Sequence, residues 1–203
     1  GWQRQRADAI DVLHAQPQVR SSHAPLTRRG LHDEGCTGRQ ESRHLRATIE
    51  ALHAQDPRIA FALGVAPSLA RADAEAALRA ARLPQLMDVA LVDGRTHELV
   101  RAADVALTKP GTVTLEVALL ATPQVVTARV PAASAFAMRR LVKLEAWAMP
   151  NLIAGQAVVP ELLQEDAHPQ RLADALRALL SGPARAQQLA ALVGVRDALG
   201  GGG

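Results

Sequence analysis

Tyrosine is absent from this chain, and two Trp and two Phe are its only aromatic residues. So few rings offer almost nothing on which bases could stack, and nucleic acid is not an expected partner. The single cysteine, Cys36, excludes an internal disulfide and a cysteine-rich zinc site. It fits a reducing compartment. Lysine is nearly missing as well: Lys109 and Lys143 stand against arginine at every other position among 23 basic residues. No apolar run approaches the roughly 18 residues of a membrane-spanning helix, and no charged-then-apolar signal segment opens the sequence. A cytoplasmic protein is expected, with any membrane contact peripheral.

What is present is aliphatic. Of the 203 residues, 48% are apolar, mostly Ala, Leu and Val, enough to build one sizeable core. The net charge of +3 gives a basic surface that suits anionic lipid or a phosphorylated substrate, and equally an ordinary solvated exterior.

The character of the chain changes near residue 40. Residues 1–40 are rich in Arg, His, Gln and Ser and predict an irregular segment, with only Ala7 to Leu13 faintly helical. From Glu41 the pattern is regular. Leu45, Ile49 and Leu52 repeat at helical spacing, and Asp56-Pro57 ends that helix. Strands are predicted at Ile59 to Val65, Val89 to Val92, Val105 to Leu107 and Gln124 to Thr127, with a last short one at Trp147 to Met149. Helices are predicted from Pro67-Ser68 to about Leu83, then at Thr96 to Ala102, Thr112 to Leu120 and Phe136 to Val142. Beyond Pro150 only helices are expected: one around Glu161, then Pro169 to Leu180 and Pro183 to Val193. Residues 196–203 read as a flexible tail. Continuously apolar strands alternating with helices indicate an α/β domain, a parallel sheet covered on both faces with a helical C-terminal end. Ligands of such sheets sit beyond the carboxyl ends of the strands, and Lys109 to Thr114 falls at such an end.

There a short strand runs into Lys109-Pro110-Gly111-Thr112 and then a helix carrying Thr114 and Glu116. Backbone N–H groups and small hydroxyls at a helix start can hold a phosphate. Gly111 allows close backbone approach, and Thr112 and Glu116, four residues apart, share one helix face. Each residue also has a plainer role: Thr112 as a helix cap, Glu116 as a partner of the helix dipole, Lys109 as a loop lysine. Asn151, after Pro150, can offer both donor and acceptor to a ligand, or simply shape a turn. Gly155, Glu161 and Gln164 lie near the next helix start. His97 and His168 lack partners at metal-ligand spacing and read as surface or capping residues, so no metal is expected. No Gly-x-Gly-x-x-Gly follows a strand, which argues against a dehydrogenase.

The ordered set is more specific than its members. Asp93-Gly94-Arg95-Thr96, Ala102 to Ala106, Gly111 to Glu116, Thr122-Pro123, Arg139 to Lys143, Pro150 to Gly155 and Val159 to Gln164 follow one another in a single order. This order resembles the carboxy-terminal half of the lipid-A-disaccharide synthases, over roughly residues 41–195. The resemblance implies the donor domain of a GT-B glycosyltransferase, a Rossmann-like fold that binds a nucleotide sugar. It implies transfer of an acylated glucosamine from UDP-2,3-diacylglucosamine to lipid X, a lipid-linked glucosamine acceptor, with no cofactor beyond the UDP-sugar donor. Gly111, Thr112 and Thr114 would then face the diphosphate, with Lys109 beside it, Glu116 the ribose or donor sugar, and Asn151 the donor cleft. The general base would belong to an acceptor-binding half, supplied by a separate acceptor domain or a homo-oligomer.

The sequence departs from the family in three places. Pro110 stands where the family has Ser, and Lys109-Pro110-Gly111 is similar to other UDP-sugar transferases of this fold. A transferase using another lipid acceptor, or a non-catalytic UDP-binding remnant, therefore stays open. The family's opening strand and Gly-Ser-Arg loop correspond here to Gly35 to Glu41, with no apolar strand before them. The amino-terminal half has no counterpart, and the composition change predicts truncation or a shifted reading frame.

Overall fold

The computed structural model describes residues 9–12, 31–65, 70–80, 82, 89–129 and 146–200. Strand β1 is Ala9–Val12 and helix α1 is Leu31–Gln55. There follow β2 (Ala60–Val65), α2 (Arg71–Ala80), β3 (Val89–Asp93), α3 (Thr96–Ala102), β4 (Val105–Thr108), α4 (Thr112–Leu119) and β5 (Gln124–Ala128). The chain ends with α5 (Met149–Ala154), β6 (Glu161–Leu163), a 3-10 turn at Gln164–Asp166, α6 (Pro169–Leu180) and α7 (Pro183–Ala198). All six strands are parallel, in the order β3-β2-β1-β4-β5-β6. The order reverses between β1 and β4, and the crevice beyond the carboxyl ends of the strands at such a reversal is where doubly wound sheets bind ligands.

Alternation along the strands divides the core in two. Val105 and Leu107 of β4 and Val125 of β5 join Phe61, Leu63 and Val65 of β2 on one face. That face is covered by Ile49 and Leu52 of α1, Ala74 and Leu78 of α2, and Leu172, Leu176 and Leu179 of α6. The intervening residues turn the other way. Ala106 meets Val100 of α3 and Val113 and Val117 of α4. Val126 meets Ala118 of α4, Ala148, Val159 and Leu192 of α7. Strands buried on both faces explain the unbroken apolar runs in the sequence.

Several sequence expectations are corrected. Residues 1–40 are not irregular throughout: Ala9–Val12, expected to be faintly helical, is a strand at the centre of the sheet, with Ile10 level with Phe61 on one side and Val105 on the other. A four-residue strand interrupted by Asp11 carries too little periodicity to be read locally, and it is specified by its two neighbours. Gly35 to Glu41 lies inside α1 rather than in a loop, although interior glycines disfavour a helix. The strand expected at Trp147 to Met149 is instead a bend entering α5, while the helix expected around Glu161 is strand β6, pairing with β5 through Val126 and Glu161. Helix α7 runs to Ala198, past the expected start of the tail. The predicted helix at Phe136 to Val142, and Lys143, lie outside the described residues. Among the described residues no helix is long and apolar enough to cross a membrane.

The break after α1 has a local electrostatic cause. Asp56 accepts from the backbone N–H of Arg58 at 3.0 Å and from its guanidinium at 2.6 and 2.9 Å, closing the turn into β2. The Arg58 side chain, then its backbone N–H, hold the Asp56 carboxyl down to about 2, from an ordinary 3.8. A lowered folded-state value stabilises the turn above the ordinary carboxylate range, and that contribution fades as pH falls toward 2. An NMR titration of the Asp56 carboxyl carbon is expected to place its midpoint near 2, and Arg58→Ala to return it toward 3.8. An unmoved midpoint in that variant would contradict the assignment.

Candidate functional site

Lys109, Pro110 and Gly111 carry the chain from the carboxyl end of β4 into α4, beside the reversal between β1 and β4. Gly111 is the residue before the helix, with φ 141° and ψ −170°. Side-chain-bearing residues avoid that region almost entirely, whereas space is not the constraint, since an added Cβ would meet nothing within 4 Å. Thr112 is thus the first helical residue and not the cap, which corrects the capping role open to it from sequence. No side chain caps α4 at its N-cap, Gly111. Thr112 and Glu116 are both exposed on one face of the helix, and Lys109 is half-buried at its entrance.

Thr114 turns inward. It is fully buried, and its hydroxyl donates to the Gly111 carbonyl at 2.7 Å and accepts from the Met149 N–H at 3.1 Å. Two residues beyond Thr112, it occupies the core-facing side of α4 next to Val113 and Val117. The hydroxyl expected to face a diphosphate instead joins the first turn of α4 to the start of α5.

Asn151 is also structural. Its side-chain N–H groups donate to the Val159 carbonyl at 2.9 Å and to Glu161 Oε1 at 2.7 Å. Its Oδ1 accepts from the N–H groups of Val158 and Val159 at 2.7 and 2.8 Å. Every hydrogen-bonding position of the amide is used within the protein, so the ligand role expected of it has no spare donor or acceptor in this arrangement. Glu161 completes the latch, accepting from the N–H of Ala148 at 2.9 Å and that of Trp147 at 3.0 Å. The register of the sheet makes this relevant to the cradle. Thr108, the last residue of β4, is level with Val126, which is level with Glu161, the first residue of β6. A cavity of about 380 Å³ opens beside the latch, with Leu152, Gly155 and Pro160 in its wall.

A second buried network fixes α4 from below. The Thr108 hydroxyl donates to Gln124 Oε1 at 2.9 Å, and Gln124 Nε2 donates to the Thr114 carbonyl at 2.7 Å. Gln188 of α7 grips the Gln124 backbone both ways, accepting from its N–H at 2.7 Å and donating to its carbonyl at 3.1 Å. Sequence reasoning missed this pair because two isolated glutamines show no pattern until β5 and α7 are packed together.

It also underrated His97. His168 does cap α6, accepting from the Gln170 N–H at 3.3 Å. His97, in the first turn of α3, reaches across to Glu116, with Nε2 3.1 Å from Oε2. The two are 19 residues apart in the chain, and no local spacing signals the contact.

Asn151→Ala is expected to cost about 3 kcal/mol of folding stability, because it strands the buried N–H of Val159, the part-buried N–H of Val158 and one side of Glu161. Urea denaturation measures this. A loss under half a kcal/mol would mean that the latch is not rigid.

The family profile described as lipid-A-disaccharide synthetase matches residues 39–196. A lipid-A-disaccharide synthase of Anaeromyxobacter dehalogenans (strain 2CP-C) is 46% identical over 152 residues, covering 74% of this chain and 39% of that protein. One from Cupriavidus pinatubonensis is 41% identical over 175 residues, covering 80% and 42% respectively. One from Thiobacillus denitrificans is 40% identical over 192 residues, covering 89% and 49%. A match to 89% of the chain cannot fit between residue 39 and the end, so this likeness begins before residue 39. The chain spans about two fifths to one half the length of these curated relatives. With the profile covering most of its length, this chain belongs to the lipid-A-disaccharide synthetase family.

Proposed function

We propose that this chain forms the nucleotide-sugar half of a lipid-A-disaccharide synthase. The observation that carries the reading is the start of α4. No side chain caps it, it opens at the carboxyl end of β4 beside the strand-order reversal, and it presents Thr112 and Glu116 on one exposed face. The donor is UDP-2,3-diacylglucosamine and the acceptor is lipid X, as the resemblance implies.

In this reading the diphosphate sits against the N–H groups that follow Gly111, where the helix dipole favours negative charge. The Thr112 hydroxyl and the Lys109 ammonium add a donor and a positive charge. Glu116 accepts from a ribose hydroxyl. Thr114 and Asn151 hold the frame from inside and touch no ligand. In the reaction the acceptor 6-hydroxyl attacks the anomeric carbon of the donor. The bond from that carbon to the diphosphate breaks, and UDP leaves with the electron pair. The charge developing on UDP is met by donors already in place, which is electrostatic stabilisation of the leaving group. The hydroxyl proton passes to a general base, for which the described residues offer no assigned candidate. Inversion at the anomeric carbon yields the β-1,6 linkage. Both substrates carry acyl chains, so the reaction belongs at the cytoplasmic side of the inner membrane with the protein bound peripherally, a placement its net charge of +3 favours.

Calorimetric titration of UDP into the purified chain tests this. Glu116→Ala is expected to weaken UDP roughly tenfold, the worth of one hydrogen bond to a charged group. Absence of UDP binding, or binding indifferent to that substitution, would sink the proposal.

A further inference from the structure

We infer that His97 is a positioning residue for nucleotide recognition, holding the Glu116 carboxylate in the orientation that receives the ribose. The inference rests on the proposed role of Glu116 and extends it to a residue on another helix. Glu116 leaves the surface of α4 with its side chain 46% exposed. A glutamate so placed has several rotamers available, and ordering it on ligand binding costs entropy. His97 removes part of that cost beforehand. Its Nε2 lies 3.1 Å from Glu116 Oε2, and since a carboxylate only accepts, the imidazole N–H is the donor. One carboxylate oxygen is thereby fixed, and the other remains for a ribose hydroxyl.

Two further observations favour this pairing over incidental surface contact. First, the cation at the start of α3, Arg95, is paired with Glu98 along its own helix, and it is His97 that is set against Glu116. Second, α3 and α4 are locked to each other beneath the pair. Val100 packs with Val113 and Val117, and the Thr122 hydroxyl after α4 donates to the Val100 carbonyl at 2.8 Å. The distance between His97 and Glu116 is therefore set by packed helices and not by a loop. The contact itself contributes little to folding, since His97 is 69% exposed and exposed polar side-chain pairs are weak. Its consequence lies in ligand selectivity.

The test titrates UDP and 2′,3′-dideoxy-UDP, which lacks both ribose hydroxyls, into the full chain and into His97→Ala, His97→Gln and Glu116→Ala. The wild-type protein is expected to prefer UDP roughly tenfold. His97→Ala is expected to lower that preference roughly fivefold, leave dideoxy-UDP affinity unchanged and leave the thermal midpoint unchanged. His97→Gln, which keeps a side-chain N–H donor, restores most of the preference. A preference unaltered by His97→Ala but abolished by Glu116→Ala overturns the role of His97 alone. Equal loss of both nucleotides in His97→Ala also overturns it, since that is a general effect on the site. Wild-type protein that binds neither nucleotide, or both equally, overturns instead the reading of Glu116 on which it rests.

Discussion

The side-chain amide of Gln124 is the constraint on which the site depends. It is completely buried at the start of β5, where an unmet donor or acceptor would be costly. Its oxygen accepts from the last residue of β4 and its nitrogen donates to the Thr114 carbonyl in α4, while Gln188 of α7 binds its backbone on both sides. Thr114 passes the constraint onward, through its hydroxyl, to Gly111 and to the start of α5. At α5 the Glu161 and Asn151 latch continues it to β6. One connected set of buried and part-buried hydrogen bonds thus ties the turn at Gly111 to three strands and three helices. In a low-dielectric interior such a set is strong when every member is satisfied, and every bond named here has its partner.

This network divides the labour within a six-residue motif. Gly111 to Glu116 reads as a single functional unit in sequence, but helical geometry sends its residues in opposite directions. Val113 and Thr114 face the core with Val117, while Thr112 and Glu116, four apart, face solvent. The motif is as much about holding the helix start as about touching a ligand. The same holds at Pro150 to Gln164, where Asn151 and Glu161 spend their hydrogen bonds on each other and on nearby backbone. A signature recognised because its members recur together need not consist of residues that share one task.

How much could be read from the sequence follows from which forces are local. Helices α3, α4 and α6 and strands β2 to β5 were legible because apolar runs, the Asp93-Gly94 turn and proline starts are written within a few residues. The exposed placement of Thr112 and Glu116 on one helix face was legible for the same reason: a four-residue spacing is a helical fact. Strand β1 was not, because its conformation is imposed from both sides by β2 and β4. Strand β6 was mistaken for helix because Glu161 to Gln164 looks amphipathic, and only pairing with β5 extends it. The buried roles of Thr114 and Asn151 and the reach of His97 across to α4 depend on partners 35, 8 and 19 residues away. Only the Asn151 contact falls within a short window, and it carries no periodic signal.

The proposed chemistry asks for both kinds of element. Stabilising a departing diphosphate works best when donors are already oriented and need not reorganise as charge develops. A helix start held by a buried network meets that demand, and the unusual φ of Gly111 is open to it because glycine carries no Cβ. Recognising a ribose asks for something different: a side chain exposed enough to reach the ligand yet restrained enough not to wander. Glu116 has the exposure, and its contact with His97 supplies a restraint that burial cannot. In the proposed reading, the most densely hydrogen-bonded groups lie where charge would be stabilised, and restraint falls toward the surface where the ribose would be read. The position of Thr114 inside the cradle and Glu116 on its rim follows from that order.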